Sequence, residues 1–575
     1  MPSQTLHPVA GRATAAPPRR LSIERPTLSV EMLVLLAAVF LLATGNGPFW
    51  RAALAGRDPA AAATWQFAGG VFAALAALYT LVIGLVATRH SVRPVLSLAV
   101  LVTAFASYYM ERYTIYFDRE MLRNVLATNP GEARDLLSWG LAAHVGVFGV
   151  LPVLLVWWPR LKRRSLGRAA AVRSAWLAGA VLAVVAGLLP VFADVASLMR
   201  NQREVRHLIT PGNIVASLSS NAFGRGKRPA GPRAAVGPDA RLGAAWSGRK
   251  RPVLFVLVVG ETARAENFSL NGYARETNPE LARRDIVNFS GVTACGTSTE
   301  VSLPCMFSPF GRADYNEGKI RGHESLLHVL ARAGFQVLWR DNQSGCKGVC
   351  DGLPSEALAG AKVESLCAEG QCLDEILLHG MEGIAQDANG NLFVVMHQMG
   401  SHGPAYFKRY PAVFKHFAPA CEDAELHHCA PAEIRNAYDN SLRYTDHFLA
   451  RVVDFLGRAQ TRYDTAMLYV SDHGESLGES GLYLHGVPYA IAPRVQTQVP
   501  MVVWLSPAFR QSFGVDQECL RSRAAQPASH DNLFHSVLGL LDVQTGAYQR
   551  VRDLFAPCRN SAPDGGGLRL AETAR

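Results

Sequence analysis

A chain of 575 residues is long for one domain, and its apolar residues are unevenly distributed. Up to about residue 200 it consists of apolar runs separated by basic loops, whereas the remainder has the composition of a water-soluble domain. The chain has a net charge of +10, and much of its positive charge lies beside the apolar runs. This arrangement indicates contact with a membrane and gives no reason to expect a nucleic-acid partner. We therefore predict a membrane-anchored protein with one large soluble domain.

Five apolar segments are long enough to cross a hydrocarbon core of about 30 Å. They lie near residues 28–48, 65–88, 94–110, 136–158 and 174–198. The second and fourth connections carry more Arg and Lys than the first and third, so the positive-inside rule places the amino terminus in the cytoplasm. Five spans in residues 1–200 then place the soluble domain outside, whereas a sixth span would reverse the orientation.

The third connection, from Tyr113 to Asp135, has helical spacing. Asn124, Thr128 and Glu132 are four residues apart, which predicts that they share one helix face. By spacing alone, an interfacial amphipathic helix with a solvated polar face explains them best.

Residues 201–250 read as a basic connector, and residues 561–575 as a flexible tail. Gly224 to Pro238 is rich in Gly, Pro, Ala and Arg, a composition typical of a mobile tether. Its charge suits either anionic lipid headgroups or a simple soluble linker.

Residues 251–560 have the pattern of an α/β domain. Continuous apolar runs predict buried strands at 253–259, 335–339, 392–397, 466–470 and 500–504. Helical patterns such as 323–333 and 434–457 lie between them, which predicts a mostly parallel sheet.

Metal-ligating side chains follow two of these runs. Glu261 comes after the first, and Asp472 and His473 come after the run at 466–470. Because ligand sites favour the carboxyl ends of strands in α/β sheets, these residues predict one zinc-type site.

Hydroxyl side chains occupy a small-residue turn between Cys295 and Cys305, ahead of a predicted helix start. A hydroxyl at a helix amino terminus beside a metal is suited to nucleophilic catalysis, although an ordinary helix cap has the same composition. Composition does not rank Thr297, Ser298 and Thr299. His402, His485 and Lys347 also lie in polar turns, and Lys347 suits phosphate binding.

All ten cysteines lie after residue 294, mostly in close pairs. The pairs are Cys295 and Cys305, Cys346 and Cys350, Cys367 and Cys372, and Cys421 and Cys429, with Cys519 and Cys558 left over. This pattern predicts disulfides in an oxidising compartment. A zinc ribbon is the alternative, but the pairs lack a shared CxxC spacing.

Six stretches of the soluble domain resemble the lipid A phosphoethanolamine transferases, the family of the mobile colistin-resistance enzymes. They are GETARAENFSLNGYARETNP (260–279), ACGTSTEVSLPCMFS (294–308), DNQSGCKGVCD (341–351), QMGSHGPAYFKRYP (398–411), NAYDNSLRYTD (436–446) and SDHGESLGESGLYLHGVPYAIAP (471–493). The resemblance implies a five-helix transmembrane domain followed by an alkaline phosphatase or sulfatase-like α/β domain. It also implies a bacterial inner-membrane protein with its catalytic domain in the periplasm.

The resemblance assigns a role to each matching position. Thr299 corresponds to the nucleophile, and with Glu261, Asp472 and His473 it corresponds to the shell of one tightly bound Zn²⁺. His402 and His485 match histidines around the substrate and around a second zinc that can join during turnover. The headgroup-binding positions match Asn124, Thr128, Glu132, Ser344 and Lys347.

The implied reaction moves phosphoethanolamine from phosphatidylethanolamine to a lipid A phosphate through a covalent phospho-threonine at Thr299. His402 or His485 would act as acid or base. The resulting cationic group weakens the binding of cationic peptides such as polymyxins. The protein is expected to act as a monomer.

Three alternatives to this function stay open. Transfer to a lipopolysaccharide core heptose or a periplasmic glucan uses the same motifs. A glycerol-phosphate polymerase of the same superfamily is disfavoured by the set of Asn124, Thr128 and Glu132. A catalytically dead, membrane-anchored sensor is disfavoured because the ligand set is complete.

Overall fold

The computed structural model describes residues 25–128, 130–223, 232–368 and 370–559, with backbone alone at residues 130–132, 203 and 221–223. Helices α1 to α11 form the amino-terminal part. They are α1 (Val30–Thr44), α2 (Gly47–Leu54), α3 (Ala62–Val86), α4 (Val92–Tyr113), α5 (Arg119–Ala127), α6 (Pro130–Asp135), α7 (Trp139–Val145), α8 (Leu151–Trp157), α9 (Leu166–Leu188), α10 (Phe192–Asn201) and α11 (Gly212–Phe223). A π-helical turn joins α7 to α8, and a short 3-10 turn joins α9 to α10.

Four helical segments in the described part of the chain are long and apolar enough to cross a membrane. They are Ala62–Val86, Val92–Tyr113, Trp139–Trp157 and Leu166–Asn201. The predicted first span is instead the pair α1 and α2, bent by 63°, so the count reaches five only if this pair is one span. The bend lies at Asn46, whose side chain donates to the carbonyls of Leu41 and Thr210, just before Pro48 at the start of α2.

The expected single helix from Tyr113 to Asp135 is wrong. Helix α5 ends at Ala127, Thr128 has an extended conformation, and α6 begins at Pro130. The cause is Pro130, because a proline ring disfavours helical geometry in the residue before it and supplies no N–H to continue the helix. Asn124, Thr128 and Glu132 therefore do not share one continuous helix face, and the side chain of Glu132 lies outside the described residues.

An eight-stranded sheet forms the centre of the soluble domain. Its strands are β1 (Val253–Gly260), β2 (Ile286–Thr293), β3 (Gln336–Asp341), β4 (Ser355–Ala357), β5 (Leu392–His397), β6 (Asp464–Ser471), β7 (Gln498–Leu505) and β8 (Ala528–Ser529). Their order across the sheet is β8-β2-β7-β6-β1-β5-β3-β4. Only β7 runs antiparallel to its neighbours β6 and β2, so the predicted mostly parallel sheet is confirmed.

Helices cover both faces of the sheet, which explains the continuous apolar runs of its central strands. The helices are α12 (Thr299–Met306), α13 (Glu317–Gly322), α14 (Leu326–Arg332), α15 (Met381–Asp387), α16 (Pro431–Ala459), α17 (Arg494–Thr497), α18 (Pro507–Phe513), α19 (Gln517–Arg523) and α20 (Leu533–Leu540). Alternate residues of β1 point to opposite faces. Phe255 and Leu257 belong to the core with α14 and α20, whereas Val256 and Val258 belong to the core with α16.

The segment before β1 differs in part from the predicted mobile connector. Residues 224–231 lie outside the described part of the chain, but residues 232–250 are held against the soluble domain. Arg233 pairs with Asp351 at 2.8 Å, and Arg249 pairs with Asp464 at 2.6 Å. Residues 232–250 thus form an ordered strap along the domain, whereas residues 212–223 of the predicted connector form α11.

All five expected disulfides are present, and all ten cysteines lie within the described residues. The bonds are Cys295–Cys305, Cys346–Cys350, Cys367–Cys372, Cys421–Cys429 and Cys519–Cys558. The alternative of a zinc ribbon is therefore excluded, because each thiol is already used.

Candidate metal and nucleophile site

The site is built on two neighbouring strand ends. Ser471, the last residue of β6, pairs with Gly260, the last residue of β1, in parallel register. The next residues, Asp472 and Glu261, therefore leave the sheet side by side, and His473 follows. All three side chains are buried, and their ligand atoms lie within 4.8 Å of one another.

Hydrogen bonds aim these side chains at a common point. Asp472 Oδ1 accepts the backbone N–H of His473 at 2.8 Å, while its Oδ2 is buried without a hydrogen-bond donor among the described residues. His473 Nδ1 lies 2.9 Å from the carbonyl oxygen of Gly474, and since a carbonyl only accepts, Nδ1 carries the proton. Nε2 then faces Glu261 Oε1 and Asp472 Oδ2, each 3.4 Å away.

Electrostatics show that this group fits a cation. Burial lowers the pKa of His473, so the ring is neutral at pH 7 and Nε2 presents a lone pair to two carboxylate oxygens. A positive ion between these three atoms would stabilise so many electron-rich atoms in a buried site. Two carboxylates and one imidazole form a donor set that suits zinc.

Thr299 supplies the hydroxyl of the site. It is the first residue of α12, and its Oγ1 donates to Glu261 Oε2 at 2.9 Å and lies 3.5 Å from His473 Nε2. Thr297 Oγ1 instead donates to the carbonyl of Val487 at 2.8 Å. Ser298 occupies the helix cap in extended conformation without a side-chain capping bond. The geometry thus brings Thr299, among the three hydroxyls of this turn, to the ligand cluster.

His402 and His485 also lie close to Glu261. Ligand atoms of Glu261, His402 and His485 also fall within 4.8 Å of one another, which forms a second three-ligand group that shares the carboxylate. His485 Nδ1 lies 2.8 Å from the buried carboxylate of Glu475, and its ring centroid lies 4.4 Å from that of His473. Burial lowers the pKa of His402 well below its ordinary value, so its ring is neutral.

A glycine allows the His402 loop to approach the site. Gly400 has a φ of +54°, and a Cβ there would lie 2.6 Å from the carbonyl oxygen of Glu261. Only a residue without a side chain fits at this distance and this conformation. The loop is further fixed by Asp374, which accepts the backbone N–H groups of Met399 at 2.8 Å and Gly400 at 2.9 Å.

A chain of hydrogen bonds links Lys347 and Ser344 to the site through Gln343. Lys347 Nζ donates to Ser344 Oγ at 2.6 Å, and Ser344 N donates to Gln343 Oε1 at 2.5 Å. Gln343 Nε2 in turn donates to Glu261 Oε2 at 2.9 Å. The structure therefore places both residues on a loop beside the ligand cluster, with Ser344 two hydrogen bonds and Lys347 three hydrogen bonds from the carboxylate of Glu261.

The membrane-side helix α5 packs directly on the catalytic half. It contacts α12. Its Met121 also packs against Gly486, because a Cβ built on that glycine would lie only 2.3 Å from Met121 Cε. Asn124 lies on this helix, and Thr128 Oγ1 donates to the carbonyl of Asn124 at 2.9 Å. Arg119 and Arg123 form ion pairs with Glu317 of α13.

Sequence reasoning missed four buried polar residues that orient the site: Gln343, Asp374, Glu475 and His530. His530 Nε2 donates to the carbonyl of Ser471 at 2.9 Å, and its Nδ1 accepts the N–H of Cys295 at 3.1 Å. It thereby ties the end of β6 to the turn that carries Thr299. An isolated His in a polar stretch gives no signal of this role, whereas Glu475 adjoins the Asp-His motif and could have been noticed.

Two protein families match the two halves of the chain. Residues 254–543 match the Sulfatase family, and residues 75–223 match "Phosphoethanolamine transferase EptA/EptB". Phosphoethanolamine transferase EptA of Escherichia coli K12 is 39% identical over 544 residues, which cover 93% of this chain and 98% of that protein. Phosphatidylethanolamine transferase Mcr-1 of Escherichia coli is 39% identical over 496 residues, which cover 84% and 90% of the two chains.

The whole architecture also matches a solved structure. The integral membrane protein lipooligosaccharide phosphoethanolamine transferase A (EptA) from Neisseria meningitidis superposes with a TM-score of 0.89 at 36% identity, covering 93% of this chain and 100% of that chain. Both domains and their connection are therefore shared along the full length. The chain belongs to the EptA-type phosphoethanolamine transferases, a family of integral membrane enzymes with a sulfatase-like domain.

Proposed function

We propose that this protein transfers phosphoethanolamine from phosphatidylethanolamine to a phosphate group of lipid A, with Thr299 as a covalent carrier. The observation that carries the proposal is the contact of Thr299 Oγ1 with Glu261 Oε2 at 2.9 Å, at the start of a helix and beside His473 and Asp472. A hydroxyl in this position lies next to a proton acceptor, the positive end of a helix dipole and a set of donor atoms suited to a cation.

In the first half-reaction, Thr299 Oγ1 attacks the phosphorus of the donor. Glu261 accepts the hydrogen bond of the hydroxyl and draws its proton away as the new P–O bond forms. The bond from phosphorus to the glycerol oxygen breaks, and diacylglycerol leaves after that oxygen takes up a proton. His485 supplies this proton, and Glu475 fixes its ring by accepting from Nδ1, whereas the neutral ring of His402 is suited to accept a proton.

In the second half-reaction, an oxygen of the lipid A phosphate attacks the same phosphorus. The P–O bond to Thr299 breaks, the threonine regains a proton, and the phosphoethanolamine group ends on the acceptor. The ligands proposed for one tightly bound zinc are Glu261, Asp472, His473 and Thr299, with His402 and His485 available for a second. When bound, zinc lowers the pKa of a hydroxyl and stabilises negative charge on phosphoryl oxygens.

The residues proposed to bind the headgroup come from both halves of the chain. Lys347 and Ser344 offer an ammonium and a hydroxyl beside the ligand cluster, and Asn124, Thr128 and Glu132 are the residues proposed from the membrane-side helices. Because the helix breaks before Pro130, Asn124 and Thr128 lie at the end of α5 and Glu132 lies in α6. The three residues therefore do not form one helix face.

The proposed topology counts α1 and α2 as one bent span, which gives five spans, a cytoplasmic amino terminus and a periplasmic catalytic domain in a bacterial inner membrane. Five disulfides support an oxidising location for that domain. The protein is proposed to act as a monomer. Addition of an ethanolamine cation to lipid A lowers its negative charge and weakens binding of polymyxins.

Mass spectrometry of lipid A tests the proposal. Cells that produce the wild-type protein should gain lipid A with one added phosphoethanolamine, and cells that produce Thr299→Ala should not. Ser298→Ala is the matched control, because its hydroxyl makes no capping bond, and it should retain the modification. Unmodified lipid A together with a modified core heptose or periplasmic glucan would overturn the acceptor. Lipid A modified by Thr299→Ala would overturn the covalent carrier.

A further inference from the structure

Another cluster of metal-ligating side chains, which shares no residue with the two groups at Glu261, lies in the loop closed by the disulfide Cys421–Cys429. Glu425, His427 and His428 each point a ligand atom into one space, and these atoms lie within 4.8 Å of one another. Glu425 is buried, whereas both histidines are exposed enough for an ion to enter from solvent.

The distances in this cluster match tetrahedral coordination. His427 Nε2 and His428 Nε2 lie 3.5 Å and 3.8 Å from the same oxygen, Glu425 Oε2. Ligand atoms placed about 2.1 Å from a tetrahedral zinc ion are separated by roughly 3.4 Å, so small side-chain adjustments are sufficient. A water molecule would complete the four ligands.

A neighbouring carboxylate orients one histidine as a ligand. His428 Nδ1 lies 2.7 Å from Asp423 Oδ2, so Nδ1 donates to the carboxylate and Nε2 is left as a lone-pair donor. Histidines that bind metals commonly donate their other N–H to a carboxylate in this way.

The cluster also contacts the membrane-side domain. Glu425 Oε1 accepts the backbone N–H of Gly140, in the first turn of α7, at 3.0 Å, and so leaves Oε2 for the two imidazoles. One residue earlier, Ala424 accepts from the hydroxyl of Tyr113, the last residue of α4, at 3.2 Å. An ion held here would fix the loop against two membrane-side helices.

We propose that Glu425, His427 and His428 bind a divalent cation of the zinc class, separate from the catalytic ligands, and that this ion braces the contact between the two domains. Its role is structural, because no reacting group lies in the cluster. The disulfide supports binding, because it holds the short loop in place before the ion arrives.

Zinc stoichiometry of the full-length protein tests the site. Purified protein in detergent is stripped with a chelator, reloaded with Zn²⁺, desalted and subjected to elemental analysis. The double variant His427→Asn/His428→Asn should bind one zinc per chain fewer than the wild type. The matched control is His379→Asn/His416→Asn, which removes two exposed histidines outside the cluster and should bind as much zinc as the wild type. Equal zinc in the two double variants would overturn the proposal.

A milder variant keeps the test independent of folding defects. Asp423→Asn removes only the orienting carboxylate, so it should weaken the affinity of this site about 10–100-fold while retaining full stoichiometry at saturating Zn²⁺. Competition with a chromophoric chelator measures this change. The thermal midpoint of the wild type should rise on reloading by more than that of the His427→Asn/His428→Asn variant. An unchanged affinity in Asp423→Asn, or an equal rise in both proteins, would contradict the proposed site.

Discussion

Asp135 and Arg409 form an ion pair of 2.9 Å between Oδ2 and Nη2, with each side chain only 2% exposed. Asp135 ends α6 on the membrane side, and Arg409 also donates from Nε to the carbonyl oxygen of His402 at 2.7 Å. Burial would raise the pKa of Asp135, but the charge of Arg409 and the hydrogen bond from Lys408 outweigh it and lower that pKa. One buried carboxylate thus connects the membrane-side helices to the backbone of a candidate catalytic histidine.

Asp135→Asn should destabilise the full-length protein. The substitution leaves the guanidinium of Arg409 buried without its counter-charge, and loss of one partner of a buried pair typically costs about 3–5 kcal/mol. We expect a lower thermal midpoint and faster protease cleavage between the domains. The control is Asp194→Asn, because the pair of Asp194 with Arg57 is 3.4 Å long and exposed, and it should change little. Identical midpoints for the two variants would show that the pair does not hold the domains together.

Thr299→Ala should abolish turnover without loss of the fold. It removes the hydroxyl that contacts Glu261 but leaves Glu261, Asp472 and His473 as ligands, so activity should fall on the order of 10³-fold or more while zinc content stays near wild type. Thr299→Ser retains the hydroxyl and should keep part of the activity. With donor alone, the wild type should gain one phosphoethanolamine on the peptide from Cys295 to Cys305. An adduct on Thr297 or Ser298 would refute the assignment.

Asp472→Asn should weaken metal binding while leaving the local packing intact. The amide oxygen can still accept the N–H of His473, but its NH₂ group would donate toward His473 Nε2 and occupy the space of a cation. We expect at least a roughly 10-fold weaker zinc affinity and a parallel loss of activity. Isothermal titration with Zn²⁺ measures the affinity. Asp516→Asn, which alters a helix-capping carboxylate at α19, is the control and should bind zinc as the wild type does.

Asp341→Asn should reduce stability at neutral pH and not in acid. Burial would raise the pKa of Asp341, but the charge of His397 and several hydrogen bonds lower it to about 2. A carboxylate whose pKa falls on folding adds stability above its unfolded pKa of about 4, and that stability is lost as the pH falls toward 2. The variant should therefore lose about 2 kcal/mol at pH 7, and its difference from the wild type should shrink below pH 4.

Denaturant unfolding over this pH range measures the effect. Asp454→Asn, in an exposed surface pair with Arg284, serves as the control and should follow the wild-type profile. A constant difference between Asp341→Asn and the wild type from pH 7 to pH 3 would contradict the role of this carboxylate. Because Asp341 Oδ1 accepts the N–H groups of Gln343 and Gly345, at 2.9 Å each, the same variant should also loosen the loop that carries Lys347.

The parts of the fold that were predictable are those in which burial leaves a simple pattern. Val253–Gly260 and Asp464–Ser471 are buried along their whole length, so their apolar runs were clear and candidate ligands could be predicted after them. Strand Ile286–Thr293 was missed because it alternates buried and mostly half-buried side chains near one side of the sheet. Spacing alone also predicted one helix to Asp135, because residue spacing does not register the break that Pro130 causes.

The site was predictable to the extent that its residues follow strands or form motifs. Glu261, Asp472 and His473 meet because their strands are neighbours, which a sequence pattern can suggest. Gln343 and His530 act through contacts between segments distant in the chain, with His530 reaching Cys295 across 235 positions. Such contacts depend on tertiary packing, and neither residue type nor spacing reveals them.

The domain contact also sets the height of the site above the bilayer. Helix α4, with 22 residues, is about 33 Å long, and its last residue, Tyr113, already touches the catalytic domain at Ala424. This contact holds the catalytic domain beside the ends of the membrane helices. If donor and acceptor are both lipids, the enzyme meets them by diffusion in the plane of the membrane. The reaction rate should then follow the mole fraction of each lipid in the leaflet and not the total amount of lipid in suspension.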